Sequence, residues 1–114
     1  IRVRSLFTAP GDGVYLPPGP VALRGIAWSG HGPIQRVEVG VGVGGPWLPA
    51  RVGEPLEGTG PVRWSHDWTP PTAGMHTLGV RATDAAGHQQ PESSIWNAGG
   101  YGNNVIHRIS VEVE

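Results

Sequence analysis

Residues 34–41 alternate: Val37, Val39 and Val41 fall on one side, Arg36 and Glu38 on the other. Successive side chains of a strand point to opposite faces, so this pattern predicts a strand with one face buried. The same period returns at 75–83, where Leu78, Val80 and Ala82 oppose Thr77, Gly79, Arg81 and Thr83. It returns again at 105–114, where Ile109, Val111 and Val113 alternate with Ser110, Glu112 and Glu114. Residues 2–7, 21–28 and 62–68 read as further strands, and 47–52 as a shorter one. Glycine and proline clusters separate them, among them Ala9-Pro10-Gly11-Asp12-Gly13 and Thr69-Pro70-Pro71. Residues 15–20 read as an extended or turn segment, and 53–61 as a polar loop. Proline or glycine interrupts nearly every window long enough for a helix. Seven strands without helices predict an all-β chain, an immunoglobulin-like antiparallel two-sheet sandwich, with a small barrel as the competing architecture.

Length refines this to one domain over 1–114 with a single core. Glycine and proline exceed a quarter of the residues, but interleaved valines and five tryptophans favour a loop-rich β domain over disorder. Net charge is −1, and all eight basic residues are arginines scattered along the chain. With no basic run and no long apolar run, neither nucleic acid nor a membrane is expected as a partner. Cysteine is absent, which removes disulfides, thiolate metal sites and thiol nucleophiles. The chain begins at Ile1 and holds one methionine, Met75, so a processed chain or a fragment of a longer one is expected.

Candidate chemistry is sparse. The histidines His31, His66, His76, His88 and His107 show no metal-binding spacing and read as loop and strand-surface residues. His66 and Asp67 are successive strand residues and diverge. Ser29, in "WSGHG", has no nucleophile elbow around it. Asp84, in "VRATDAAG", is placed to accept backbone N–H groups of the turn that follows. The glycines of 40–45 lack the Lys-Ser/Thr of a phosphate loop and read as hairpin glycines. Trp64, His66 and Trp68 share one strand face. They are read as core, with an exposed sugar-stacking platform as the alternative.

Four segments in order carry a resemblance: "GIAWSGHGPIQRVEVGV" (25–41), Trp47, "LGVRATDAAGHQQP" (78–91) and "WNAGGYGNNVIHRISVEV" (96–113). The series resembles the C-terminal dimerisation domain of the sulfite oxidase family of molybdenum oxidoreductases, over nearly the whole chain. The resemblance implies an immunoglobulin-like module with no cofactor of its own. It also implies a larger neighbouring domain holding molybdopterin and molybdenum, and a second copy forming a homodimer. The loop containing Trp96, Asn97, Gly99, Tyr101, Asn103 and Asn104 would then face the catalytic domain. Exported or periplasmic location follows by analogy with bacterial members.

Two positions depart from the family. Animal and plant sulfite oxidases carry arginine where this chain has Gly99, so their anionic-substrate contact does not transfer. Gly42-Val43-Gly44 replaces the usual Asp-Gly-Gly hairpin, and valine resists positive φ. Without the family's molybdenum-ligating cysteine, no enzymatic activity is expected of this chain alone. An extracellular carbohydrate-binding or spacer module is the alternative function, and a metalloenzyme using the histidines ranks last.

Overall fold

The computed structural model describes residues 3–30, 32–42, 46–55, 60–90 and 106–114. Nine strands form among them: β1 (Arg4–Ala9), β2 (Tyr15–Leu16), β3 (Val21–Trp28), β4 (Ile34–Val41), β5 (Trp47–Pro49), β6 (Arg51–Pro55), β7 (Val62–Trp68), β8 (Gly74–Asp84) and β9 (His107–Val113). They build two sheets, ordered β1-β3-β7-β6 and β2-β9-β8-β4-β5. The first is the A-B-E-D order of an immunoglobulin sandwich, and β9-β8-β4 supplies the opposing G-F-C strands. All pairs are antiparallel except β2 with β9. The predicted sandwich is therefore the fold, and the barrel is not.

The alternating patterns become the inner face of the five-stranded sheet. Val37 and Val39 from β4, Leu78, Val80 and Ala82 from β8, and Ile109, Val111 and Val113 from β9 are buried. They meet Phe7, Leu23, Ala27, Val62, Trp64 and Trp68 from the facing sheet. Trp64 and Trp68 are only 2% and 6% exposed, which removes the flat sugar-stacking platform. Trp64 meets Phe7 edge-on, with ring centroids 5.3 Å apart. Burying roughly 150–250 Å² of an aromatic side chain at about 25 cal/mol per Å² contributes about 4–6 kcal/mol as an upper bound.

Two elements differ from the sequence reading. The single strand expected at 47–52 is two strands in different sheets. Trp47 and Leu48 pair with Gly40 and Val39 of β4, whereas Arg51 and Val52 pair with Ser65 and Trp64 of β7. Pro49, which has no N–H, is the last residue of β5. The Ala50 N–H gives a last bond to the Val37 carbonyl (2.8 Å), and the chain then crosses to the other sheet. β6 continues to Pro55, into residues expected to be loop. The turn-like Tyr15-Leu16 pairs with the end of β9. The Glu112 and Glu114 N–H groups donate to the Val14 and Leu16 carbonyls at 3.0 and 2.9 Å. Such a two-residue strand exists only because its partner presents a free edge.

Candidate functional site

The six loop residues expected at an interface, Trp96, Asn97, Gly99, Tyr101, Asn103 and Asn104, lie outside the described residues, as do His31 and Val43. Both flanks of 91–105 are described, and they converge on one seam between the sheets. On the near side, Gln90 is buried. Its Oε1 accepts the Ala82 N–H (2.9 Å) and the Ser5 hydroxyl. On the far side, Ile106 is buried and His107 Nδ1 accepts the Phe7 N–H at 2.9 Å. Ser5 and Phe7 are two residues apart on β1, so both flanks of the segment are tied to the same strand. An open hollow of about 440 Å³ lies at this seam, lined by Arg4, Ser5, Phe7, Gln90, Ile106 and Arg108 among others.

Because His107 Nδ1 accepts a backbone N–H, the ring is held neutral, with its proton on Nε2. Burial lowers its pKa below the ordinary 6.5, partly opposed by the carboxylate of Asp12. A histidine whose pKa falls on folding stabilises the native state fully above its unfolded value. That stabilisation is lost as pH drops below about 6.5 and through the lower folded value. Thermal midpoints are therefore expected to decline below this pH. His107→Asn, which keeps an acceptor without titrating, is expected to flatten that part of the decline, as melting across a pH series would show.

The turn that precedes Gln90 is organised by Asp84, which is fully buried. Its Oδ1 accepts the N–H groups of Ala86 (3.0 Å) and His88 (2.9 Å). Its Oδ2 accepts the Ser29 hydroxyl at 2.7 Å and lies 3.3 Å from His88 Nδ1. The Asx turn read from the sequence is present. Ser29, read there only as a poor nucleophile, links the β3–β4 turn to the β8 turn, beside the Ala85 N–H that donates to the Pro33 carbonyl at 2.8 Å. Gly87 closes the turn at φ +91°, a conformation that favours glycine.

The outward side of the five-stranded sheet satisfies itself. Glu38 Oε1 lies 3.0 Å from Arg81 Nε and 3.6 Å from Arg36 Nε. The Arg81 guanidinium stacks 4.2 Å from the centre of the Trp47 ring. That ring lies over Gly40 and Gly79, where added Cβ atoms would stand 3.0 and 3.4 Å from it. The Arg-Val-Glu-Val stretch and the downstream tryptophan are thus one cluster, with its valines in the core. At the end of β4, Gly42 takes φ +82°. His66 is partly buried on β7 and Asp67 is exposed beside it. Among the described residues, no three histidines or carboxylates gather closely enough to hold a metal ion.

Together these features define an immunoglobulin-like module whose polar contacts brace its turns and one long connecting segment. The chain matches the Mo-co oxidoreductase dimerisation domain over residues 1–114, and it belongs to that family. It is 34% identical to human mitochondrial sulfite oxidase over 122 residues, covering 99% of this chain and 22% of that protein. It is 30% identical to the NADH nitrate reductase 1 of Oryza sativa subsp. japonica over 130 residues, covering 99% of this chain and 14% of that protein. Among solved structures, the sulfane dehydrogenase SoxCD of Paracoccus pantotrophus superposes with a TM-score of 0.81 at 28% identity, covering 97% of this chain and 30% of that one. The chain thus spans less than a third of each of these relatives. An endo-β-1,4-mannanase of Thermotoga petrophila, at TM-score 0.65 and 15% identity, shares the fold alone.

Proposed function

We propose that this chain is the non-catalytic dimerisation domain of a sulfite-oxidase-like molybdenum oxidoreductase. In this reading it holds two copies of the parent protein together and borders the domain that carries the molybdenum cofactor. The observation that carries the reading is the family match along the entire chain, on a sandwich whose buried tryptophans leave no sugar platform.

The cofactor does not fit the residues of this chain. It has no cysteine thiolate to offer molybdenum, and its described histidines and carboxylates do not cluster. The proposed contribution is mechanical. Both flanks of 91–105 are anchored on β1 through Ser5 and Phe7, which supports the reading of Trp96, Asn97, Gly99, Tyr101, Asn103 and Asn104 as a contact surface toward the cofactor domain. Glycine permits close backbone approach, and tryptophan and asparagine can hydrogen-bond from packed positions.

Sedimentation of the full-length protein tests the reading. A dimer at micromolar concentration that becomes monomeric when residues 1–114 are deleted is the expected result. A full-length monomer would count against it. A stable dimer face is expected to cover on the order of 800 Å² per partner.

A further inference from the structure

The outward side of the four-stranded sheet differs in charge from its counterpart. Arg24 on β3 and Arg51 on β6 are both register partners of Ser65 on β7. Arg63 stands two residues before Ser65 and therefore on the same face. All three arginines are exposed. They border one open hollow of about 560 Å³, with Thr8, Ile26 and Ser65 among its other lining residues. Among the described residues no carboxylate pairs with any of the three, whereas Arg36 and Arg81 on the other sheet are tied to Glu38.

We propose that this face docks an acidic, extended polypeptide segment of a partner protein, with carboxylates meeting Arg24, Arg51 and Arg63 around Ser65. The spacing favours this occupant. Strands sit about 4.8 Å apart, so the Arg24 and Arg51 backbones lie roughly 10 Å from one another across Ser65, and Arg63 lies about 7 Å along β7. A single small anion meets all three only where the side chains converge on it, whereas alternate side chains of an extended segment repeat every 7 Å or so and match the spacing with the arginines extended. Guanidinium forks hold carboxylates in bidentate geometry, and three such contacts around a hollow give register as well as charge. A nucleic acid is disfavoured, because Asp67 lies on the same face of β7 and borders the adjoining hollow with Arg51 and Ser65, interrupting a phosphate track. This surface is distinct from the β1 seam beside 91–105, so it stands or falls apart from the reading of that seam as facing the cofactor domain.

The test is an amide and arginine-Nε NMR titration of the full chain with the peptide Glu-Ser-Glu-Ser-Glu, its Gln-Ser-Gln-Ser-Gln counterpart serving as neutral control. Weak binding is expected, with Kd about 0.1–1 mM at low salt, as exposed ion pairs allow. Shifts should centre on Arg24, Arg51, Arg63 and Ser65. Arg24→Glu with Arg63→Glu should weaken it by about tenfold or more, while Arg36→Glu should not. Arg24→Gln with Arg63→Gln serves if the charge reversals unfold the sandwich. The proposal is overturned if the neutral peptide binds equally, if shifts centre on Arg36 and Arg81, or if sulfate alone reproduces them. It is also overturned if a single-stranded oligonucleotide binds more tightly, or if the Arg24 and Arg63 changes convert a dimer to a monomer, which would make this face a contact between copies.

Discussion

Gly25→Ala is expected to be the most damaging addition of a single methyl group to this sandwich. Gly25 sits centrally in the four-stranded sheet, paired with Phe7 on one side and Trp64 on the other. An added Cβ would overlap the Leu6 carbonyl oxygen and lie 2.5 Å from Cε2 and Cζ2 of Trp64. Neither neighbour can yield cheaply. The carbonyl is backbone within the β1–β3 ladder, and the indole is 2% exposed and packed against Phe7. Overpacking a core costs about 1–3 kcal/mol and occasionally more, and here two rigid obstacles act together, so about 3 kcal/mol or more is expected. For a domain of this size that lowers the thermal midpoint by about 12 °C or more. Gly53→Ala is the matched control. Its Cβ would meet the Arg63 carbonyl at 3.5 Å, an ordinary contact, and a change within about 1 kcal/mol is expected. Melting curves of the two variants decide the matter, and equal midpoints would show that the crowding at Gly25 is not real.

Asp84→Ala is expected to be comparably severe, by a different route. It strips the acceptor from the Ser29 hydroxyl and from the Ala86 and His88 N–H groups at once. All three hydrogen bonds are part-buried and end on a fully buried carboxylate, and they hold the turn that leads into Gln90 and the 91–105 segment. Asp84→Asn separates charge from shape, since its amide keeps an acceptor for the turn. Burial by itself would raise the Asp84 pKa. The Ser29 hydroxyl, the His88 N–H, the His88 ring and the Ala86 N–H outweigh it, so the carboxyl is held below the ordinary 3.8. A carboxylate depressed on folding stabilises the native state fully above its unfolded value. The contribution fades as pH falls through the lower folded value. Wild type is therefore expected to lose stability steeply below about pH 3.8, after the earlier loss assigned to His107. Asp84→Asn should start weaker at neutral pH and show a shallower acid limb. Unfolding midpoints from pH 2 to 7, a range spanning both ordinary values, would reveal parallel acid limbs if Asp84 carried no such linkage.

The Asx turn at Asp84 was legible because an aspartate bonding its own following backbone is a local event, set within four residues. Its partner Ser29 was not, because 55 residues separate the two and nothing near Ser29 signals the contact. Gln90 shows the same divide. It was visible as part of a family-like motif, but its bond to Ser5 arises only where the two sheets meet. The assignment of Trp96, Asn97, Gly99, Tyr101, Asn103 and Asn104 to an interface still rests on the resemblance, joined now by the anchoring of their flanks.

By itself the sequence determined the all-β class, the main strands and which of their faces are buried. Side-chain direction alternates residue by residue, so the valine periods of β4, β8 and β9 carry that information locally. Tertiary structure decided what depends on pairing between distant strands: the division of 47–52 between two sheets at Pro49, and the capture of Tyr15-Leu16 by β9. It also gathered Arg24, Arg51 and Arg63 on one face, although along the chain they are scattered singly. Register between strands is a non-local quantity, and it brings residues far apart in the chain to within a side chain's reach.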